Sequence, residues 1–450
     1  MIDIIVRSRR DANAVKAMLE KFYPEWDSRV YTLHGKRSFD QVIEELENIL
    51  SNDRFYVFML AREDAELAEK LEKNLPFNVA VQLVPRSKIR NTRIEHLSQL
   101  FDIARSKFRL AAGWIRDSKS YMFALRRGIQ LEKYEFNPAY DVFLGIGGGF
   151  KWVLEKILLG KICSTPLIMR RFGGEHYVYC GYRLTALLNI PDHGINPRGK
   201  LICSDCIEEV FIDNLLKANK DAINSYAYIS KKYLEKYKKW ADTVIVPWSG
   251  GKDSTVALLL ALEVFSKKKI RVIYVDTGAD FPMTKKYMEN VSRKLGIDVI
   301  KTYAGIDTLI LKGEKGFPTH DDRWCTGKKI EALENKIKEV MSGNTLVITG
   351  DRDAESERRS IRPVSRIRDK DFIIVSPIKV WGGTHVQLYI LSKGLNLNPL
   401  YEAGFYRIGC YMCPALRSWE LYIMLHNKHI YNELKNYELF KMFLARRTHT

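Results

Sequence analysis

The chain has 450 residues, of which 46% are hydrophobic and 28% charged, and its formal net charge is +18. This length exceeds what one hydrophobic core usually supports, so we expect two or three domains, and the apolar content excludes a disordered chain. The excess of positive charge favours a polyanionic partner such as nucleic acid without identifying one.

The first residues, "MIDIIVRSRRDANAV", carry charges where a secretion signal would be apolar. The most apolar window, residues 256–265, is too short to span a bilayer. We therefore expect a soluble, cytoplasmic protein without a membrane partner.

Residues 1–125 alternate strand-like runs such as "IDIIVRS" and "FYVFMLA" with helix-like runs such as "DANAVKAMLEKFY". This alternation predicts a small α/β domain. The segment contains no catalytic constellation, and its many basic residues are more typical of a solvated helical face than of a nucleic-acid surface.

Residues 126–235 form a less regular, cysteine-containing middle region. The glycine cluster at Gly145, Gly147, Gly148 and Gly149 lacks the spacing of a dinucleotide-binding loop and predicts a turn. The region also holds four of the seven cysteines, namely Cys163, Cys180, Cys203 and Cys206, the last two in a C-x-x-C pair.

An odd number of cysteines in a large chain without a signal argues against a disulfide framework. The four thiolates of the middle region could close a tetrahedral zinc site, with His176 as a substitute for Cys163. The alternative is a set of reduced thiols in a small core.

Residues 236–450 repeat short apolar runs, such as "DTVIVPW", "IRVIYVDTG" and "TLVITGDRD", that alternate with helix-like segments. The pattern predicts a doubly wound parallel sheet. Ligands of such sheets bind beyond the carboxyl ends of the strands, so the loops 248–254, 276–281 and 350–362 should converge.

The loop "SGGKDS", residues 249–254, lies between an apolar strand and an apolar helix. Lys252 is followed by Asp253 rather than by a hydroxyl residue, so the loop is not a Walker loop. Its amides and the helix that begins near Ser254 still suit an anion, to which Lys252 adds positive charge.

The motif "SGGKDS" resembles the signature of the PP-loop ATP pyrophosphatases, which cleave ATP between its α and β phosphates and transfer AMP. The phosphoadenylyl-sulfate reductase-like branch of that superfamily is similar to several further blocks: "VDTGADFP", "RWCTGKKIEAL", "GDRDAESERRSIRP", "SPIKVW" and "NPLYEAGFYRIGCYMCP". The resemblance covers the C-terminal half only and implies an adenine nucleotide α-hydrolase-like fold.

The resemblance implies that one set of residues holds the pyrophosphate portion of ATP: Ser249, Gly250, Gly251, Lys252, Asp253 and Ser254. It also places Asp276 and Thr277 on the nucleoside side and Gly350 beside the nucleotide. Because Asp253 would repel a triphosphate unless a cation lay between them, we expect Mg²⁺ as well.

The arginine-rich loop after the strand "TLVIT" offers Arg352, Arg358, Arg359 and Arg362. Arginine pairs with phosphate oxygens at two points and would stabilise a leaving pyrophosphate. The alternative is a set of surface arginines neutralised by nearby acidic residues. We expect Arg352 to bind the nucleotide, and Arg358 and Arg362 to act in catalysis together with Lys252, Asp253 and Cys325.

Cys325, Cys410 and Cys413 form a second cysteine set. By resemblance to related sulfonucleotide reductases and sulfur-transfer enzymes, they would hold a 4Fe-4S cluster. The chain departs from that pattern because Trp324 stands where the first cysteine of a pair would lie. Zinc, or free or redox-active thiols, are the alternatives.

Three functions remain open. The first is ATP-dependent adenylyl transfer that activates an acceptor for sulfur transfer, with tRNA as the acceptor and a sulfur or electron donor protein as a partner. The second is reduction of adenylyl sulfate or phosphoadenylyl sulfate to sulfite, which the complete loop and a tail without cysteine oppose. The third is a nucleotide-sensing module that binds nucleic acid.

Overall fold

The computed structural model describes residues 1–448 and arranges them around four β-sheets. No helix in this range combines the length and apolarity needed to cross a lipid bilayer.

The N-terminal region is a four-stranded parallel sheet in the order β2-β1-β3-β4 with helices around it. Strand β3, "FYVFMLA", is buried along its whole length, as expected for a parallel strand covered on both faces. The elements are β1 (Ile2–Val6), α1 (Arg9–Phe22), β2 (Val30–Thr32), α2 (Phe39–Ile49), β3 (Phe55–Ala61), α3 (Ala65–Asn74), β4 (Val79–Val84) and α4 (Ile94–Leu110).

The middle region has a small sheet in the order β6-β5-β7 and a five-stranded antiparallel sheet in the order β12-β11-β10-β9-β8. The predicted boundary at residue 125 falls within the smaller sheet. The elements are β5 (Gly113–Ile115), β6 (Ser120–Met122), β7 (Ile129–Gln130), β8 (Asp141–Leu144), α5 (Gly148–Leu158), β9 (Leu167–Arg170), β10 (Glu175–Tyr179), β11 (Leu184–Asn189), β12 (Arg198–Leu201) and α6 (Ile212–Glu235).

The C-terminal region is a six-stranded sheet in the order β15-β14-β13-β16-β18-β17. Its strands are parallel except for the edge strand β17. The first elements are β13 (Thr243–Pro247), α7 (Lys252–Val264), β14 (Ile270–Asp276), α8 (Pro282–Leu295), β15 (Val299–Tyr303), α9 (Ile306–Leu311) and α10 (Trp324–Val340). After these come β16 (Thr345–Ile348), α11 (Glu357–Ser360), β17 (Ser365–Asp369), β18 (Phe372–Val375), α12 (Gly383–Ser392), α13 (Pro399–Glu402), α14 (Ser418–His426), α15 (Lys428–Leu434) and α16 (Glu438–Thr448).

This topology confirms the predicted doubly wound sheet. Strand β13 lies between β14 and β16, so the order of strands along the chain reverses beside β13. Such a reversal opens a crevice at the carboxyl ends of the two central strands. The fold thus places the loops after β13 and β16 next to each other.

The three regions share one hydrophobic core that extends from β1 to α16. Helix α7 is buried on all sides from Thr255 to Ala261, because α6 and α12 cover the face that the sheet leaves open. Helix α6, although in the middle region, is fixed to the C-terminal region by a hydrogen bond of 2.7 Å from Ser230 Oγ to the carbonyl of Pro377.

The glycine cluster of the middle region forms the predicted turn and allows a close contact. Gly147 has a φ of +99°, and a Cβ on Gly147 or Gly149 would lie 2.8 or 2.7 Å from Glu402 of α13. The cluster therefore serves the packing of α5 against α13.

A buried ion cluster joins the N-terminal and C-terminal regions. The carboxylate of Asp353 lies 3.1 Å from Arg105 Nη1 of α4 and 2.8 Å from Lys379 Nζ. All three side chains are almost fully buried. Two buried cations therefore share this carboxylate, and Arg105 has Asp102 as a second partner at 2.5 Å.

Replacing this carboxylate should cost more stability than breaking an exposed ion pair. We expect Asp353→Ala to lower the free energy of unfolding by about 3 kcal/mol, because Arg105 and Lys379 would stay buried without their shared partner. The control is Glu69→Ala, which removes an exposed pair with Lys73 and should cost less than about 0.5 kcal/mol. Chemical denaturation measures both, and equal losses would contradict the expectation.

Candidate nucleotide-binding and thiol site

The loop 249–254 connects the end of β13 to the first turn of α7. Gly250 has a φ of +71°, and a Cβ there would lie 2.9 Å from the side chains of Met288 and Thr284. Ser254 Oγ donates to the carbonyl of Gly251 and lies 3.2 Å from Ser249 Oγ. The turn therefore needs glycine at position 250 and presents the start of a 13-residue helix, whose positive end suits an anion.

Two residues near α13 hold this loop from behind. The amide of Lys252 donates to Tyr401 Oη at 3.0 Å, and Asn398 Nδ2 donates to the carbonyl of Gly250 at 3.2 Å. Our sequence reasoning named neither residue, although Tyr401 and Asn398 both lie in the block "NPLYEAGFYRIGCYMCP".

Asp253 lies between two cations. Its Oδ1 is 2.5 Å from Arg352 Nε, and its Oδ2 is 3.0 Å from Lys252 Nζ. Burial raises the pKa of Asp253, but the charges of Arg352 and Lys252 outweigh it and lower the pKa to about 2. Asp253 is therefore an anion with a fixed orientation at neutral pH.

Arg352 is shared between two carboxylates, and one of them comes from the middle region. Its guanidinium also lies 3.0 Å from Asp141 Oδ2 at the start of β8, and Arg352 is only 2% exposed. Sequence reasoning did not find Asp141, because no local pattern marks it. Arg352 borders the cleft as expected, but its charge is already paired, so it positions Asp253 rather than offering a free cation.

The contacts of Asp253 also bear on the expected Mg²⁺. We expected Mg²⁺ because an unpaired Asp253 would repel a triphosphate. In the structure, both carboxylate oxygens of Asp253 contact cations, so this repulsion is already compensated.

A cleft of about 910 Å³ opens in front of the loop. It lies where the strand order reverses, as the fold predicts. Eight basic and four acidic side chains border it. The basic ones are Arg170, Lys252, Arg323, Arg352, Arg358, Arg359, Arg362 and Arg407, and the acidic ones are Asp141, Asp253, Asp351 and Glu355.

The predicted phosphate-binding residues gather at this cleft with one exception. Ser249, Gly251, Lys252, Asp253 and Ser254 line it, whereas Gly250 forms the turn behind them. The arginine loop also lines the cleft, and Arg359 and Arg362 lie 3.4 and 3.3 Å from Asp351. Arg170, Arg323 and Arg407, which sequence reasoning missed, come from three other segments of the chain.

Gly350 lies where β16 meets the cleft. A Cβ there would lie 2.6 Å from the backbone carbon and oxygen of Asp253. Glycine at this position thus lets the arginine loop approach the phosphate loop.

Asp276 and Thr277 do not line the cleft, and their contact with the nucleoside stays a prediction. Asp276 accepts from the amide of Gly278 at 2.9 Å and from Lys285 Nζ at 2.8 Å. Thr277 is fully buried, with its Oγ1 3.2 Å from Cys410 Sγ. Both side chains shape the turn that supports the cysteine set.

Cys325, Cys410 and Cys413 line a second cavity of about 340 Å³. This cavity shares Ser249, Arg323 and Arg407 with the arginine-lined cleft, so the two are contiguous. Burial, reinforced by Asp280, raises the pKa of the Cys410 thiol to about 12. The half-buried Lys329, also on the wall, brings a positive charge beside the thiols.

This donor set fits the cluster that the resemblance implies, because three thiols and an ammonium group face one cavity. Each thiolate of a cubane binds a different iron, so the three need not meet at one point. In residues 1–448, however, no three His, Cys, Asp or Glu side chains surround a common position as ligands of one metal ion. The iron-sulfur cluster stays a prediction.

The four cysteines expected to bind zinc are joined in pairs in the structure. Cys163 forms a disulfide with Cys180 and Cys203 forms one with Cys206, so this form has no four-thiolate site. His176 does not replace Cys163, since it lies opposite Arg170 in the sheet register, at the end of β10 away from Cys180. Burial lowers the pKa of His176 to about 3, so the ring is neutral.

Together, a glycine loop at the start of a buried helix, an arginine loop beside it and a reversed strand order form the fold and the cleft that the PP-loop resemblance implies. The family model described as "Phosphoadenosine phosphosulfate reductase domain" matches residues 243–416. Residues 243–416 thus match the family that the sequence resemblance implies, and the match covers less than half of the chain.

The chain is similar to two uncharacterized proteins of Methanocaldococcus jannaschii. They are 37% and 35% identical to it over 48% of this chain, and the matches cover 45% and 55% of their lengths. Adenosine 5′-phosphosulfate reductase of Streptomyces coelicolor is 31% identical over 32% of this chain and 61% of its own length. The chain thus spans about half the length of the first two relatives.

Among solved structures, phosphoadenylyl-sulfate reductase from Candida auris aligns with a TM-score of 0.33 and 19% identity. The alignment covers 42% of this chain and 96% of that one. FMN adenylyltransferase of Candida glabrata in complex with ATP aligns with a TM-score of 0.32 and 18% identity, over 42% of this chain and 62% of that one.

The tight approach at Gly350 gives a testable expectation. Gly350→Ala should push the backbone of residues 350 and 253 apart, which costs about 1–3 kcal/mol of stability and weakens nucleotide binding. Isothermal titration with ATP and thermal unfolding measure the two effects. Gly316→Ala is the matched control, since a Cβ there meets no atom within 4 Å. Unchanged affinity in Gly350→Ala would contradict this role.

Proposed function

We propose that this chain transfers AMP from ATP to an oxygen of an acceptor and releases pyrophosphate. The observation that carries the proposal is the charge balance of the cleft, where basic side chains exceed acidic ones by four in front of a complete phosphate loop. An excess of this size suits a triphosphate. The acceptor oxygen attacks the α phosphorus, the bond to the bridging oxygen breaks, and pyrophosphate leaves.

The residues that line the cleft would have different roles in AMP transfer. The positive end of α7, with Ser249 and Ser254, would hold the pyrophosphate portion. The arginines of the facing loop, Arg358 and Arg362 above all, would stabilise the charge that grows on the leaving group. Lys252 would add a cation at the helix end, and Arg352 would keep Asp253 in place.

We further propose that the activated acceptor is RNA and that sulfur then displaces AMP. Three observations support this proposal: the net charge of +18, the volume of the cleft and the thiol cavity that joins it. Cys325, Cys410 and Cys413 would hold a 4Fe-4S cluster, which supplies sulfide or electrons when bound. A donor protein would replenish that sulfur.

A second function is favoured by a specific observation. Similar proteins are named adenosine 5′-phosphosulfate reductases, and the thiol cavity adjoins the phosphate loop. In that reaction, two electrons from a thiol donor reduce the sulfate group of adenylyl sulfate or phosphoadenylyl sulfate, and sulfite and the nucleotide leave. Such a reaction consumes no ATP.

An assay under anaerobic conditions separates these functions. ATP labelled at the α phosphate is incubated with the purified chain, with and without total tRNA, and AMP and pyrophosphate are counted. We expect both products in equal amounts and a higher rate with tRNA. Lys252→Ala should lower the rate at least about tenfold because it removes a cation beside the phosphates.

The control for this variant is Lys328→Ala, which removes an exposed lysine of α10 and should leave the rate unchanged. Absence of AMP with every RNA pool would falsify the adenylyl-transfer proposal. Sulfite formed from adenylyl sulfate without ATP would establish the reductase instead. Tight binding of ATP without turnover would establish a nucleotide-sensing module.

A further inference from the structure

All four cysteines of the middle region lie at one end of its five-stranded antiparallel sheet. Strands β9 and β11 begin at this end, and β10 and β12 finish there. Cys163 precedes β9, Cys180 follows β10, and Cys203 and Cys206 follow β12. Chain direction alone therefore brings together residues that are up to 43 positions apart, from Cys163 to Cys206.

Hydrogen bonds hold the two cysteine pairs side by side. Thr185 Oγ1 accepts from the amide of Cys180 at 2.9 Å, and the carbonyl of Thr185 accepts from the amide of Cys203 at 3.1 Å. The amide of Glu208 donates to the carbonyl of Cys180 at 3.0 Å. The segment that contains the C-x-x-C pair is thus fixed against the turn that contains Cys180.

The surroundings of the sulfur atoms suit thiolates. The amide of Cys163 points at Cys180 Sγ with an N–S distance of 3.2 Å, and an amide that donates to sulfur favours its anionic form. Cys163 and Cys180 are fully buried, whereas Cys203 and Cys206 are partly exposed. A metal ion could therefore reach the buried pair from the side of the partly exposed C-x-x-C pair.

We propose that the reduced chain binds one zinc ion through Cys163, Cys180, Cys203 and Cys206, and that the paired form is the oxidised state of the same centre. Reduction of the two disulfides takes four electrons and four protons from a dithiol reductant, which becomes oxidised. Binding of Zn²⁺ then displaces the four thiol protons. Four sulfur ligands select zinc and close its coordination, so this centre is structural.

The position of the four cysteines in the sheet indicates what the zinc ion would do. In the register of β8 and β9, Asp141 lies opposite Arg170 at one end of the sheet. The cysteines lie at the other end. Asp141 and Arg170 both border the nucleotide cleft. Zinc would therefore fix the far end of the sheet that brings these two side chains to the cleft, without contacting the nucleotide.

Metal analysis of the full chain, purified with a thiol reductant present, tests this inference. We expect about one zinc ion per chain, and loss of nearly all of it in the double variant Cys203→Ser/Cys206→Ser. The matched control is Cys410→Ser/Cys413→Ser, which should retain zinc. Reduced wild-type chain without zinc would overturn the proposal, and so would equal zinc loss in the two variants.

Thiol counting on the wild-type chain decides the question if the first double variant does not fold. In the zinc-loaded, reduced chain, the four cysteines should resist a thiol reagent and become reactive as a mercurial releases zinc. Replacement by Co²⁺ should give the visible absorption of tetrahedral thiolate ligation. Four cysteines that react before any zinc leaves, or disulfides that persist under reductant, would overturn the proposal.

Discussion

The nucleotide cleft depends on one buried guanidinium. Arg352 lies between Asp141 of the middle region and Asp253 of the phosphate loop, and almost none of its surface reaches solvent. A buried cation is tolerated only where carboxylates compensate its charge, so the three side chains form a unit in which each orients the others. The start of α7, the end of β16 and the edge of the antiparallel sheet are thereby fixed relative to one another.

The neighbouring residue extends this constraint to the N-terminal region. Asp353 contacts Arg105 of α4 and Lys379, so consecutive residues of the arginine loop are tied to two different upstream segments. The arginine loop is therefore held at its base by charge pairs. Its outer arginines, Arg358, Arg359 and Arg362, border the cleft and can meet a ligand.

Sequence reasoning identified what local patterns specify. The strand, glycine turn and apolar helix around residues 249–254 lie within one short segment, and the reversal of strand order follows from the alternation of strands and helices. It did not identify Asp141, which is 211 positions from Arg352, because no pattern links residues so far apart. The sequence shows that Arg352 follows a strand but not which carboxylates surround it, and its contact with the nucleotide stays a prediction. Asp276 and Thr277 lie at the carboxyl end of β14, which is where the sequence predicts a ligand contact. The turn after β14 instead places Asp276 beside Lys285 and Thr277 beside Cys410.

The close contact of Gly147 and Gly149 with α13 has an evolutionary consequence. A recombination joint between residues 235 and 243 would separate the family domain from everything upstream, yet the glycine turn, Asp141 and Arg105 all contact it from the upstream side. A replacement of the upstream half would have to keep the close backbone contact with α13. It would also have to keep the charges that pair with Arg352 and Asp353. The two halves of this chain are therefore expected to be inherited together.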